Sequence, residues 1–303
     1  MNDLQMIKML TPPEGVVDMV LDTDAFNEID DQFAIAYAIK SPDKVDLKAF
    51  YAAPFHNANS TGPRDGMEKS FDEIKKIASL AGRPDIPALR GSTEYLRDEK
   101  TPGESDAMRD LILRARNYSS EKPLYVAAIG AITNVASAII AAPDIIDKIV
   151  IVWLGGHSTE WPNTHEFNMF QDVAAARIVF GCGAPLVQLP CMGVVSAFYT
   201  TKSELEYWLL GKNPLADYLA KNTIAEAESY AAGRVWSRVI WDVTAVAYLV
   251  DRGNGFLRSE LRHAPIPEYD DRYAFDNSRH FMRYVSHVNR DAIFGDLFAR
   301  LTK

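Results

Sequence analysis

The densest chemistry in the chain lies in Asp22-Thr23-Asp24-Ala25-Phe26-Asn27-Glu28-Ile29-Asp30-Asp31, five acids in ten residues between an apolar run and an apolar helix-like run. Like charges this close raise one another's pKa, and desolvating them costs several kcal/mol per ion unless a cation or hydrogen-bond donors compensate. A divalent metal ion is the simplest compensator. The segment offers oxygen donors only, with neither His nor Cys, so a hard cation is favoured over zinc, and about six to eight oxygens suit calcium. Capping of the next helix by Asp30 or Asp31 would account for one acid, not four. An EF-hand loop needs a central Gly and a terminal Glu that are missing here. An aspartate phosphatase also carries DxD at a strand end, but Ala25-Phe26 stands where its continuation should be.

These acids need a scaffold, and the surrounding pattern supplies one. Apolar runs at 16–24, 45–53, 124–130, 148–156 and 184–189 alternate with helix-like segments at 30–40, 67–82, 105–118, 134–142 and 172–180. Strands that are apolar throughout are buried on both faces. That predicts an α/β fold with a single open, mostly parallel sheet flanked by helices, Rossmann-like in order. Beyond residue 200 the pattern turns helical, at 203–211, from Pro214 to about Arg238 and at 242–250, and the last forty residues read ambiguously. No linker or repeat divides the chain, so one domain over residues 1–303 is expected. Open parallel sheets bind ligands beyond the carboxyl ends of their strands. That rule selects Asp22, Asp24, Asp30, Asp31, Asn57, Asn59, Thr133, Asn134 and the stretch Glu166–Asn168.

The 303 residues carry a net charge of −9, from 41 acids against 32 bases. Such a balance disfavours nucleic acid, which is held chiefly by Lys and Arg on phosphate. No run approaches the roughly 18 apolar residues of a membrane span, and the first residues lack a signal-peptide pattern. Cys182 and Cys191 show no metal-ligand or disulfide spacing, so a cytoplasmic protein with a small-molecule ligand is expected.

The motifs resemble, in order, those of nucleoside hydrolases of the inosine–uridine type. DTDAFNEIDD at 22–31 stands for the family's DxDPGxDD, AIGAITNVA at 128–136 for LGPLTNIA, IVWLGG at 151–156 for its apolar-GG strand, and EFNMFQDVAAA at 166–176 for EFNxxxDPEAA. Trp241-Asp242 occupies the place of the family's His-Asp. The resemblance spans roughly residues 16 to 250, with two departures: the loop from Asp24 to Asp30 is two residues longer and lacks Pro-Gly, and a tryptophan replaces the histidine.

The resemblance implies calcium-dependent hydrolysis of the N-glycosidic bond of a ribonucleoside, releasing base and ribose. It makes Asp24, Asp31, the Thr133 carbonyl and Asp242 calcium ligands, and Asp24 also the base that activates water. Asp30 would hold a ribose hydroxyl, Glu166 and Asn168 the 5′ side, and Asn57 or Asn59 would replace the family's asparagine after the second strand. Trp241 would stack on the leaving base, favouring purines, with Trp161, Phe26 or Phe55 as a second face. Tyr230 is a further base contact if Glu226, Tyr230, Arg234 and Arg238 share a helix face; otherwise that face is solvated. His157, His165 and His56 are candidates for the missing acid. Homo-oligomers are common in the family. Two other readings stay open: an N-glycosidase for a modified ribosyl substrate, and a non-catalytic nucleoside- or ribose-binding protein.

Overall fold

The computed structural model describes residues 1–251, 253 and 255–303. Helix α1 (Asp3–Leu10) precedes strand β1 (Val17–Thr23), which is buried along its length except at Asp18. The alternation then runs α2 (Asp31–Ile39), β2 (Val45–Ala52), α3 (Pro63–Leu80), β3 (Ala88–Arg90), α4 (Asp106–Ala115), β4 (Leu124–Ala128) and α5 (Thr133–Ala141). It continues through β5 (Ile149–Leu154), α6 (Phe167–Gln171), α7 (Val173–Gly181) and β6 (Leu186–Leu189). Next come β7 (Tyr199–Thr200), α8 (Lys202–Trp208), α9 (Pro214–Ala231), β8 (Arg238–Val239) and α10 (Val243–Val250). The remainder forms β9 (Leu257–His263), β10 (Ile266–Pro267), β11 (Tyr273–Ala274), β12 (Phe281–Val288) and α11 (Arg290–Leu301).

Eight strands make one sheet in the order β3-β2-β1-β4-β5-β6-β12-β9, and only β9 runs antiparallel to its neighbour. This is the open, mostly parallel sheet expected from the apolar runs. Alternate side chains of each strand feed two cores. Met19 and Leu21 join α2 and α10 on one face, while Val20, Val126 and Trp153 join α4, α5 and α7 on the other. Burial on both faces is why β4, β5 and the centre of β1 (residues 19–21) are unbroken apolar runs rather than alternating.

Two regions differ from the sequence pattern. The helix expected to reach Arg238 stops at Ala231, because Ala232 is extended and Gly233 takes a φ of 73°, a left-handed conformation that ends helices. Arg238 lies instead on β8, paired antiparallel with β7, so Glu226, Tyr230, Arg234 and Arg238 do not share a helix face. The ambiguous last forty residues supply β12, which enters the sheet beside β6, and α11, which buries Ile293, Leu297 and Leu301. Met282, Tyr284, Val285 and Val288 are the buried residues of β12, and Arg283, between the first two, reaches back to the carbonyl of Leu10 at the end of α1.

One close approach fixes how α3 leaves the end of β2. Gly66 packs against the Phe55 backbone so tightly that a Cβ there would stand 2.1 Å from the Phe55 carbonyl oxygen. Backbone cannot yield as a side chain can. Gly66→Ala is therefore expected to lower stability by about 2–3 kcal/mol, read as a fall in the urea midpoint with an unchanged slope; an unchanged midpoint would contradict the packing. Among the described residues, no helix is long and apolar enough to cross a membrane.

Candidate functional site

The strand order reverses at β1, which has β2 on one side and β4 on the other. Crevices in such sheets open at this switch point. Beyond the carboxyl end of β1, the amides of Ala53 and Ile129 still bind the Thr23 and Asp22 carbonyls, at 2.8 Å each, and the strands then separate. Asp22 points to the far face, where the Asn134 amide donates to it at 2.9 Å and Asn134 accepts from the Ser92 N–H at 2.8 Å. Burial lifts its pKa to about 7 even so.

The acids come together from two helix starts. Asp30 is the residue before α2 and Asp242 the residue before α10, yet neither side chain caps its helix. They turn towards each other and towards Asp31, and one carboxylate oxygen from each of Asp30, Asp31 and Asp242 lies within 4.8 Å of the others. Capping thus explains none of the acids. Asp31 also accepts from the Thr23 hydroxyl. Asp24 stands beside this trio under Gly130, whose Cβ, if present, would be 3.0 Å from its carboxyl carbon. Both oxygens of Asp24 and one of Asp30 are buried without a hydrogen-bond partner.

Enclosure sets the electrostatics. Desolvation, then repulsion from Glu28, pushes Asp30 up to about 6. Desolvation and then Asp30 push Asp31 up to about 8. Burial first and neighbouring acids second hold Asp24 and Asp242 well above the carboxylate range. Both oxygens of Asp24 and one of Asp30 without partners, beside the carboxyls of Asp31 and Asp242, form an oxygen donor set suited to a hard divalent ion. The residues present fit such a group.

A cavity of about 240 Å³ opens over the cluster, with Asp30 and Asp242 in its lining. Asp24 and Asp31 lie beneath. Glu166, Phe167 and Asn168 form one wall with Cys191 and Met192, and Trp241, Asn27 and Glu28 also face the space. Glu166 accepts from the amides of Gly156, Asn168 and Met169 at 2.8–3.0 Å, which opposes the upward pull of burial on its pKa. Asn168 donates to the carbonyls of Ile129 and Leu154, at 3.2 and 3.0 Å, fixing its amide at the cavity floor.

Several expected contacts are elsewhere. The Thr133 carbonyl belongs to the first turn of α5 and accepts from the Ser137 hydroxyl at 2.7 Å, while its own hydroxyl donates to Asp172, which makes it a helix residue. Ile129, four positions earlier, lines the cavity, and its carbonyl accepts from Asn168. Asn57 and Asn59 do not line the cavity; their amides donate to Asn27, at 2.6 Å to its side chain and 2.9 Å to its carbonyl. They position the loop residue that does line it. Tyr230 is 59% exposed and stands clear of the cavity because α9 ends one residue later. Phe55 is fully buried, Phe26 turns outward, and Trp161 packs edge-on to His157 behind the wall.

Asn27, Glu28, Ile129, Cys191 and Met192 were not among the residues expected to form the site. Asn27 and Glu28 fall in the longer loop from Asp24 to Asp30, where no motif assigns a role. Ile129 contributes backbone, which leaves no signature in side-chain chemistry.

The sequence profile of the inosine-uridine preferring nucleoside hydrolase family matches residues 19–291. Curated relatives include the pyrimidine-specific ribonucleoside hydrolase RihA of Escherichia coli O1:K1, 29% identical over 181 residues, 52% of this chain and 55% of that protein. The chain thus spans about half the length of the curated E. coli relatives it matches. RihA of Klebsiella pneumoniae strain 342 is 29% identical over 227 residues, 67% of this chain and 69% of that protein. Among solved structures, the purine-preferring ribonucleoside hydrolase from Gardnerella vaginalis superposes with a TM-score of 0.77 at 22% identity, covering 94% of this chain and 98% of that one. A plant nucleoside hydrolase, PpNRh1, gives 0.75 at 20% identity, covering 94% and 99%. These likenesses establish a shared fold.

Proposed function

Because the chain belongs to the inosine-uridine preferring nucleoside hydrolase family, we propose that it hydrolyses the N-glycosidic bond of ribonucleosides, giving ribose and free base with the help of a divalent ion, calcium by its oxygen donors. The observation that carries this reading is the buried trio Asp30, Asp31 and Asp242, with carboxylate oxygens within 4.8 Å of one another, beside Asp24, both of whose oxygens are buried without a hydrogen-bond partner.

Asp24, Asp31, Asp242 and the Ile129 carbonyl would hold the ion, Ile129 taking the place first given to Thr133. Bound calcium supplies orientation of a water molecule and of ribose hydroxyls, and makes that water somewhat more acidic. Asp24, with both oxygens free of protein partners, takes the water proton as general base. Asp30, facing the cavity, accepts from a ribose hydroxyl. Glu166 and Asn168 bind the 5′ hydroxyl, and the carboxylate of Glu166 would repel a 5′ phosphate there. The acids below the ring also stabilise the oxocarbenium-like charge that develops as the bond breaks.

Trp241 presents an aromatic face beside Asp242, and a purine offers it more stacking area than a pyrimidine. The free thiols of Cys182 and Cys191 fit a reducing, cytoplasmic setting. The test is reducing-sugar release from a panel of purine and pyrimidine nucleosides and p-nitrophenyl riboside, with calcium and after EGTA. Release that EGTA abolishes and calcium restores is expected. Full activity in EGTA would overturn the metal assignment, and no release from any riboside would overturn the hydrolase assignment.

A further inference from the structure

The proposed hydrolase activity leaves one chemical demand unmet. A neutral purine or pyrimidine departs as an anion unless a proton reaches its ring nitrogen, and Trp241 occupies the place from which a histidine would deliver one. Among the described residues lining the cavity there is no Lys or Arg. The His157 ring nitrogen Nδ1 accepts from the Met192 amide at 3.3 Å, and burial holds the ring below the usual histidine range, hence neutral. His165 stacks on Phe170 and pairs with Asp271 at 3.0 Å, on the same segment as Glu166 and Asn168, which face the 5′ side. Cys191 is buried against Glu166. Among the described residues on the Trp241 side, the proton carriers are the carboxyls of Asp30 and Asp242, held up by burial, and the hydrolase reading commits them to a ribose hydroxyl and to the ion, which leaves no side chain there to serve the base.

The same side is negative and aromatic. Glu28, carried on the longer loop, lines the cavity and pairs with Arg238, which also meets Glu226 at 3.3 Å. One guanidinium thus faces Asp30, Glu28 and Glu226, a net negative group, and Glu28 and Asp30 line the same cavity as Trp241. An electron-rich ring and an acidic rim attract a cation.

Resting on the hydrolase reading, we infer that the preferred substrates are ribosides whose base is already cationic before cleavage, N-ribosyl pyridiniums or N7-alkylated purine nucleosides. In that class the need for an acid disappears. The C1′–N bond breaks with its electron pair passing to the ring nitrogen, which becomes neutral. The water oxygen bonds to C1′, and the water proton goes to Asp24 and then to solvent. Riboside cation plus water gives ribose, neutral base and one proton, with no further reactant. Trp241 and Glu28 hold the positive ring in the ground state, and the neutral product base has less reason to stay.

The experiment compares kcat/KM, in calcium, for N-ribosylnicotinamide, 7-methylinosine, inosine, uridine and p-nitrophenyl riboside, the last a neutral substrate whose leaving group needs no acid. The cations are expected to exceed inosine and uridine by about 10²-fold or more, the usual worth of a general acid. Glu28→Gln should lower kcat/KM on N-ribosylnicotinamide by about tenfold, several times more than on p-nitrophenyl riboside. Inosine cleaved as well as 7-methylinosine, or Glu28→Gln affecting the charged and neutral substrates equally, would overturn this inference while leaving the hydrolase standing. Failure to cleave even p-nitrophenyl riboside would bring down the hydrolase reading and this inference with it.

Discussion

Asp24→Asn is expected to lower kcat for ribose release by about 10³-fold or more and to raise the melting temperature of the metal-free protein. The two halves have one cause. Asp24 is fully buried, neither of its oxygens has a protein partner, and Asp31 and Asp30 lie close enough to push its pKa well above the carboxylate range. A charge kept under those conditions costs stability and is retained only for what it does. Asparagine keeps the shape, removes the charge and offers N–H donors to the neighbouring carboxylates, so the metal-free fold gains. It cannot take a proton from water. Paired measurements of ribose release with calcium and of melting in EGTA at pH 8 read both effects. Activity within tenfold of the parent would move the base elsewhere, and a large fall in melting temperature would mean that Asp24 is a structural acid.

The second large effect is on stability as a function of pH. The folded-state pKa values of Asp30, Asp22 and Asp31 stand at about 6, about 7 and about 8, against about 3.9 for an unfolded aspartate. Across that interval the folded protein binds more protons than the unfolded chain, so stability falls as pH rises. The stabilisation is complete below pH about 4 and is lost as pH climbs through the folded values. His157 and His280, whose buried rings are shifted down, act in the opposite sense around the usual histidine pKa. Above pH about 7 the carboxyls dominate, and towards pH 8.5 the buried Cys182 and Cys191 thiols, also shifted up, add to the same trend. Metal-free protein is therefore expected to lose about 5–10 °C of melting temperature between pH 6 and pH 8.5. Millimolar calcium should restore most of that at pH 8.5 and little at pH 5, where the ligands are protonated. A flat metal-free profile, or equal calcium effects at both pH values, would contradict the enclosed carboxyl cluster.

The parts of this molecule that could be read from sequence are those where side-chain chemistry is local. β4, β5 and the centre of β1 announce themselves because burial on both faces demands apolar runs. Asp22 to Asp31 announces itself because five acids beside such a run are costly without a purpose. Asp242, Glu166 and Asn168 were found through motif order and do face the cavity or its cluster. What escaped depends on position rather than type. The Ile129 carbonyl could be any residue's, and Asn57 and Asn59 are polar loop residues whose partner, Asn27, is a consequence of the fold. β12 carries a half-buried Arg283 and the exposed Ser286 and His287, and joins β6 from far along the chain, so its pattern has no neighbouring strand to support it. The end of α9 is hidden in the sequence because a four-residue spacing runs on through the Ala232-Gly233 turn.

That late arrival of β12 also bears on how the protein is made. Between the end of β6 at Leu189 and the start of β12 at Phe281 the ribosome must add the whole helical segment and β9, which takes roughly 5–20 s at about 5–20 residues per second. Throughout that interval the β6 edge, with Val187 and Leu189 and its unpaired backbone groups, has no native neighbour on its outer side. An apolar open edge is a template for pairing with other chains. The nascent protein is thus most vulnerable to aggregation while its active-site motifs through residue 176 are already synthesised, and co-translational binding of a chaperone is expected to peak before β12 emerges.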